Sequence, residues 1–418
     1  MDHSFLISPI KFYVKLKYFM EPLALLGGVV EITKVECIPI TVPFKKPSEW
    51  PVLRVNKSEV IVKIYTDEGI VGVGETGEIA PDYLGDGNQE SIIVTNHDYF
   101  GPMLLGKDPL NVEALMARID RMARGNNQAK AVIDFALYDI IGKALKAPIY
   151  RVIGGLSLEK IPLSYVLTKR SPEENAEEAV KYIEAGFKSV KLKVGWRKPE
   201  EDIAVVKAVR DALGNDARIM IDANGAWDFH TALSILKKME RYDLVFAEQP
   251  VPYWDIEGLR ALRFKQGIPI AADEAAFDIW DLLRVIKADA ADVVFIKVVR
   301  VGGILKAQKW AAIAKAADLP VMCGCMVGGG IEAAAQAHFL ASNEWMGKLE
   351  HENLGPLITH QVMETANVKD DIVKNPPRYE KGYLYPPTDP GLGVELNEEV
   401  INRLLTPGKK PVIIEKKK

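Results

Sequence analysis

Between Ser189 and Lys297, short apolar runs return at nearly constant spacing: SVKLKV, RIMIDA, LVFAEQ, IPIAAD and DVVFIK. They are rich in Val and Ile, as parallel strands buried on both faces are. Each ends on or near a charge, at Lys193, Asp222, Glu248, Asp273 and Lys297, with intervals of 29, 26, 25 and 24 residues. Such an interval holds one strand, one helix and two loops. The stretches between carry helix signals. Ser171-Pro172-Glu173-Glu174 supplies an N-cap, a proline at N1 and a capping-box glutamate, and Gly186 stops that helix. Pro199 to Leu213 reads as a helix ended by Gly214, and further helices open at Asp228, Asp255, Asp278 and Gly303 and over Gly330 to Ala341. Adding IPLSYVL at 161–167 before the series, and PVMCGC and KLEHENL after it, makes eight strands with seven intervening helices. The pattern predicts an α/β fold, a parallel barrel of the triosephosphate-isomerase type with its site at the C-terminal mouths of the strands.

The pattern differs on either side. Residues 31 to about 75 alternate as antiparallel strands, with a turn at Asp67-Glu68-Gly69. Two loops, PFKKPSEWPVL at 43–53 and GEIAPDYLGDG at 77–87, suit a lid over a site. From about 89 to 147 the period becomes helical. These segments predict an α+β domain over 31–155, before a barrel domain over 156–360. Residues 361–418 read as a segment returning to the first domain, with PGKKPVIIEKKK frayed at its end. Residues 1–30 read as an extension, possible disorder included, in which Met20 is an alternative start. Its run PLALLGGVV is too short to span a membrane, which needs ~20 apolar residues, and no clear small-x-small cleavage site follows it.

Composition narrows the partners. A net charge of −4 over 418 residues argues against nucleic acid or an anionic membrane surface. Three cysteines, Cys37, Cys323 and Cys325, make no disulfide framework, and a reducing cytoplasm fits them best.

Charge at the mouths of buried strands costs free energy unless it is paired or metal-bound. Asp222, Glu248 and Asp273 lie at equivalent points on consecutive strands, so a barrel brings them around one point. Taken singly, each acid could be a helix N-cap, as Asp228 and Asp255 are expected to be. Three in register repel one another unless a cation sits between them, and an all-oxygen set suits Mg2+ or Mn2+. Asn224, two residues beyond Asp222, is placed to hydrogen-bond a ligand carboxylate or a metal-bound group. Lys191 and Lys193 share the inward face of one strand, and Lys297 stands across the barrel. Two ammonium groups close together near a divalent cation lower one another's pKa, so Lys191 is expected to tune Lys193. A base on each side of a metal-bound carboxylate substrate can take an α-proton from one face and return one to the other. The metal stabilises the enediolate between the two steps.

The Lys191-x-Lys193 pair, the three acids, Lys297 and the late PGLGVEL segment together resemble the enolase superfamily, in particular its muconate lactonizing enzyme subgroup, from about residue 31 onward. The resemblance implies a modified (β/α)7β barrel with an α+β capping domain. It implies Asp222, Glu248 and Asp273 as Mg2+ ligands, Lys193 and Lys297 as acid/base pair, a small carboxylate substrate, and a homo-oligomer between dimer and octamer. It makes Trp50 and Tyr83 in the two loops, with Asn224, Cys325 and Glu352, candidate substrate contacts. Cycloisomerisation of a muconate-like acid and racemisation or epimerisation of an amino-acid derivative are the leading outcomes. Dehydration of a hydroxy acid or hydroxyproline is the runner-up, and a barrel that binds metal and ligand without turnover is the non-catalytic alternative. Departures from the common pattern are visible. Cys325-Met326 is followed by Val327 and three glycines rather than by an acid, and Glu350-His351-Glu352 stands where dipeptide epimerases carry Asp-x-Asp.

Overall fold

The computed structural model describes residues 30–48, 54–77, 87–168, 171–353 and 370–416. An antiparallel sheet comes first: β1 (Ile32–Ser48), β2 (Arg54–Thr66) and β3 (Val71–Gly77), paired in that order. β1 runs further than its pattern suggests, so the expected loop at 43–53 is in part a strand. Pro43, which lacks an N–H, sits where the β1–β2 register breaks. The C-terminal end is also more ordered than expected. Val412–Glu415 forms β14 along the free edge of β1, from Lys34 opposite Glu415 to Cys37 opposite Val412. The free edge of β1 offers unpaired backbone groups, and alternating Val412 and Ile414 half-bury against it.

After short helical turns over Gln89–Val94, Thr95–Phe100 and Gly101–Leu104 come the longer helices α1 (Val112–Met122) and α2 (Asn127–Ala144). α2 is buried along almost its whole length. It lies so close to β3 that a Cβ on Gly72 or Gly74 would stand 2.0 Å from the Ala136 carbonyl or 1.9 Å from that of Val132. Only glycine permits this approach. Buried carboxylates then join this unit to the next. Asp134 on α2 accepts from Ile304 N at 2.5 Å, and Glu75 on β3 accepts from Ile331 N at 3.1 Å and Glu332 N at 3.0 Å. Both acids cap helix N-termini, where the dipole favours negative charge.

The barrel strands are β5 (Ser164–Leu167), β6 (Ser189–Lys193), β7 (Arg218–Asp222), β8 (Ala247–Glu248), β9 (Ile270–Ala272), β10 (Val293–Lys297) and β11 (Val321–Gly324). They are parallel neighbours in chain order. The helices following them are α3 (Pro172–Glu184), α4 (Pro199–Leu213), α5 (Phe229–Met239), α6 (Ile256–Lys265), α7 (Ile279–Ala288), α8 (Ile304–Ala316) and α9 (Gly330–Ala341). The expected capping box at Ser171 and Glu174 is present. The expected eighth strand is a single bridge. Ser164 N donates to His351 O at 2.9 Å, and Glu352 N donates to Cys323 O at 2.8 Å, which closes the barrel between β11 and β5. The returning segment adds a hairpin, β12 (Arg378–Glu380) and β13 (Tyr383–Tyr385), whose second arm pairs with β4 (Ile161–Pro162). Among the described residues no helix is long and apolar enough to cross a membrane, and Cys37, Cys323 and Cys325 are free thiols.

The barrel interior is layered by the two-residue period of its strands. Met220, Phe246, Ala271, Phe295 and Met322 form a buried apolar layer. Two residues further along each chain stand Asp222, Glu248, Asp273, Lys297 and Gly324. The same alternation that buries the apolar layer thus aims the charged one at the mouth.

Candidate active site

Strand register sets the positions. Lys193 is opposite Asp222, and Asp222 is opposite Glu248. Asp228, Asp255 and Asp278 cap α5, α6 and α7 with their side chains; Asp273 stands before the single 3-10 turn Glu274–Ala276 but makes no side-chain cap, and with Asp222 and Glu248 it faces the interior. All three are fully buried.

Their counter-charges are the lysines. Lys191 Nζ lies 2.6 Å from Glu248 Oε2, 2.6 Å from Glu352 Oε1 and 3.4 Å from Asp222 Oδ2. Lys193 donates to Asp222 and, at 2.9 Å, to Asn224 Oδ1. Lys297 donates to the Oδ2 of Asp273. Asn224, in the left-handed region at φ 45°, passes its own donor to Glu274 Oε1 at 2.9 Å. The structure therefore brings Lys191, Lys193, Lys297, Asp222, Glu248, Asp273, Asn224 and Glu352 into one buried network. Cys325 is half-buried just past β11. Trp50 and Tyr83 lie outside the described residues.

Three further members went unnoticed in the sequence. Glu274, next to Asp273, is half-buried, and its Oε2 is shielded from water with no hydrogen-bond donor among the described residues. Arg300 is fully buried and donates to Asp273 Oδ1 at 2.6 Å. Gln249 takes Asp273 N at 3.1 Å and Ala275 N at 3.0 Å on its Oε1, fixing the backbone that carries the third acid. The Lys297-x-x-Arg300 spacing was the available signal for Arg300. One residue pair is separated: Glu350 pairs with Arg218 at 3.0 Å at the start of β7, the opposite end of the strand from Asp222. His351 is also buried, accepting from Cys323 N at 3.0 Å and bonded to Met346 O at 2.6 Å. Of Glu350-His351-Glu352, only Glu352 reaches the mouth.

The electrostatics differ from expectation at Lys193. Lys191 does work to lower its pKa, as does burial, but Asp222 and Glu248 outweigh both and raise it. Burial also opposes the charge on Lys191, yet Glu248, Glu352 and Asp222 hold its pKa well above the usual lysine range. Three carboxylates, Asp222, Glu248 and Glu352, around two ammonium groups decide the sign. Burial works to raise Asp273, but Arg300 and Lys297 hold it below the usual carboxylate range. Burial, then the charge of Asp222, pushes Glu248 well up, and burial, Asp273 and Asp222 push Glu274 up.

The donor set fits a divalent cation. Acids that raise one another, with one orphaned oxygen on Glu274, would be relieved by positive charge placed among them. Among the described residues no three carboxylates stand preformed as a cation cage, and the lysine ammonium groups supply the counter-charge instead.

Comparison with known proteins agrees with this geometry. Residues 34–154 match the mandelate racemase/muconate lactonizing enzyme N-terminal domain, and residues 174–400 match the enolase C-terminal domain-like family. The chain belongs to the mandelate racemase/muconate lactonizing enzyme family. A family member from Azoarcus sp. EbN1 has a solved structure with 44% identity and a TM-score of 0.85, over 92% of this chain and 100% of that one. The N-succinyl-L-Arg/Lys racemase of Bacillus cereus is 33% identical over 90% of this chain and 98% of its own length, and its structure has a TM-score of 0.84. The dipeptide epimerase of Cytophaga hutchinsonii, solved with Mg and the dipeptide D-Ala-L-Val, is 25% identical with a TM-score of 0.82, over 92% of this chain and 100% of that one. Relatives in this family are isomerases: racemases, epimerases and muconate cycloisomerases.

Proposed function

We propose that this family member racemises an N-acylated amino acid by exchanging its α-proton between Lys193 and Lys297, with Mg2+ held by Asp222, Glu248 and Asp273. The observation that carries the reading is the opposed pair of lysines. β6 and β10 are separated by three strands, and each places an ammonium group on a different carboxylate of one buried network. Racemisation needs a base on each face of Cα, the role this reading gives to the opposed lysines.

The metal, when bound, supplies positive charge that neutralises the substrate carboxylate and stabilises an enediolate. The chain's own residues do the rest. One lysine, neutral, accepts the α-proton, while the opposite lysine, charged, delivers a proton to the other face. Asn224 holds Lys193 in place through its Oδ1, and Glu274 holds Asn224. The apolar layer beneath excludes water from the lower side of the site.

The acyl group follows from charge. A dipeptide's free ammonium would need an acid beyond the metal cluster. Glu350 faces the other end of the barrel, His351 is engaged with backbone, Glu352 reaches the mouth but is already paired with Lys191 at 2.6 Å, and residues 353–363 contain no acid. An N-acyl substrate presents no such charge.

The test is 1H NMR of L- and D-N-succinyl amino acids with the protein and Mg2+ in D2O. Loss of the α-proton signal from both enantiomers, with polarimetry falling to zero, is the expected result. Conversion of cis,cis-muconate to a lactone with no α-exchange would replace this reading by cycloisomerisation. A new alkene from a hydroxy acid would replace it by dehydration.

A further inference from the structure

The loop after β11 is strained and clamped. Val327 has a φ of 66°, in the left-handed region that β-branched residues avoid. Such a conformation persists only where its surroundings hold it. Lys57 on β2 donates to the Val327 carbonyl and ion-pairs with Glu59. Glu75 on β3 accepts from Gly329 N. Glu332, in the first turn of α9, accepts from Met326 N at 2.7 Å. Peptide groups of Met326, Val327 and Gly329 are thus held by three side chains, two of them from the first sheet. Lys57, Glu59, Glu75 and Glu332 are all buried.

Two contacts fix what the clamp connects. A Cβ on Gly77, the last residue of β3, would stand 3.0 Å from Met326 O and 3.1 Å from Gly328 N. Sheet and loop therefore touch backbone to backbone. At the loop's other end, a Cβ on Gly324 would stand 3.2 Å from Lys297 Cε and 3.4 Å from Glu352 Oε2. The loop leaves β11 directly against two members of the mouth network.

We propose that Lys57, with Glu59, Glu75 and Glu332, is a positioning cluster that fixes residues 325–329 as the wall of the substrate site beside Lys297. Through it, the docking of the first sheet on the barrel sets the shape of the mouth. The substrate-site half of this statement rests on the α-proton reading above; the clamp itself does not. The charge balance makes Lys57 the sensitive member. Three buried carboxylates face it, and burial together with Glu59 and Asp371 pushes Glu75 well up, while burial pushes Glu332 up to about 7. Without the ammonium group the carboxylates repel and the Val327 carbonyl loses its donor.

Amide hydrogen exchange of the full chain, read by mass spectrometry, tests the clamp without a substrate. In Lys57→Met, peptides covering 325–333 should exchange faster by roughly tenfold or more, while peptides of β6 and β7 keep their wild-type rates. Unchanged exchange over 325–333, or equal acceleration in β6 and β7, would overturn the proposal. Glu332→Ala removes the acceptor for Met326 N while leaving Lys57 on the Val327 carbonyl, and should loosen the same peptides, so it serves if Lys57→Met fails to accumulate. On an N-acyl amino acid that the wild type racemises, Lys57→Met should raise KM roughly tenfold with kcat within a few-fold of wild type. A fall in kcat at unchanged KM would refute the wall. If the wild type racemises none of the panel, the proposed function fails and the exchange data still decide the clamp.

Discussion

Asp273 divides its two oxygens between two cations: Oδ1 receives Arg300 Nη1 at 2.6 Å, and Oδ2 receives Lys297. Both Asp273 and Arg300 are shielded from water. Removing one partner of a buried pair leaves the other charge uncompensated. Arg300→Met should therefore cost about 3–5 kcal/mol of stability, measured by urea unfolding. A loss under about 1 kcal/mol would mean that Lys297 alone satisfies Asp273.

The two lysines should fail differently. Each faces one side of Cα in the proposed reaction, so Lys193→Ala and Lys297→Ala should each lose α-exchange with one enantiomer by about a thousandfold and abolish racemisation. Both variants should still bind Mg2+ in a calorimetric titration, because the acids remain. Equal exchange of both enantiomers in either variant would remove that lysine from the mechanism.

Metal should stabilise the fold. Glu248 and Glu274 are held high by burial and by their acidic neighbours, a repulsion that a divalent ion relieves. Mg2+ at about a hundred times its Kd should add about 2.7 kcal/mol, visible as a higher Tm that EDTA reverses. Glu248→Gln should lose most of that increment. Identical melting with and without Mg2+ would count against the assigned ligands.

Acid should destabilise the joint between α9 and its neighbours. His338 accepts from Tyr150 N at 3.3 Å and bonds Leu392 O at 3.1 Å, and burial lowers its pKa from 6.5 to about 4. A depressed folded pKa means that the unfolded chain binds more protons between these values. Stability is thus full above pH 6.5 and falls as pH drops toward 4, by on the order of 3 kcal/mol from this residue. His338→Gln should remove that share of the fall and leave the share of His351, which burial also lowers to about 4, when stability is measured by denaturant titration across pH 4–7.

What could be read from sequence was what depends on local period and strand order. The regular spacing from Lys193 to Lys297 carried the barrel, because a parallel strand and its helix need a nearly fixed length of chain. Two-residue alternation then placed Lys191, Lys193, Asp222, Glu248, Asp273 and Lys297 on inward faces, whatever their final distances. Other features waited for tertiary structure. Arg300 lies beyond the strand end, and only the turn closed by Val301 N to Lys297 O at 3.1 Å brings its side chain back onto Asp273. The sign of the Lys193 shift depends on how many carboxylates converge on it, a sum over strands far apart in sequence. Val412–Glu415 reads as a lysine-rich tail until the free edge of β1 offers it backbone partners. The clamp on Val327 joins residues 270 positions apart, so no local pattern could announce it. Sequence determined which residues point inward, since strand geometry acts within a few residues. Tertiary structure decided which charges meet, since burial and electrostatics act through space.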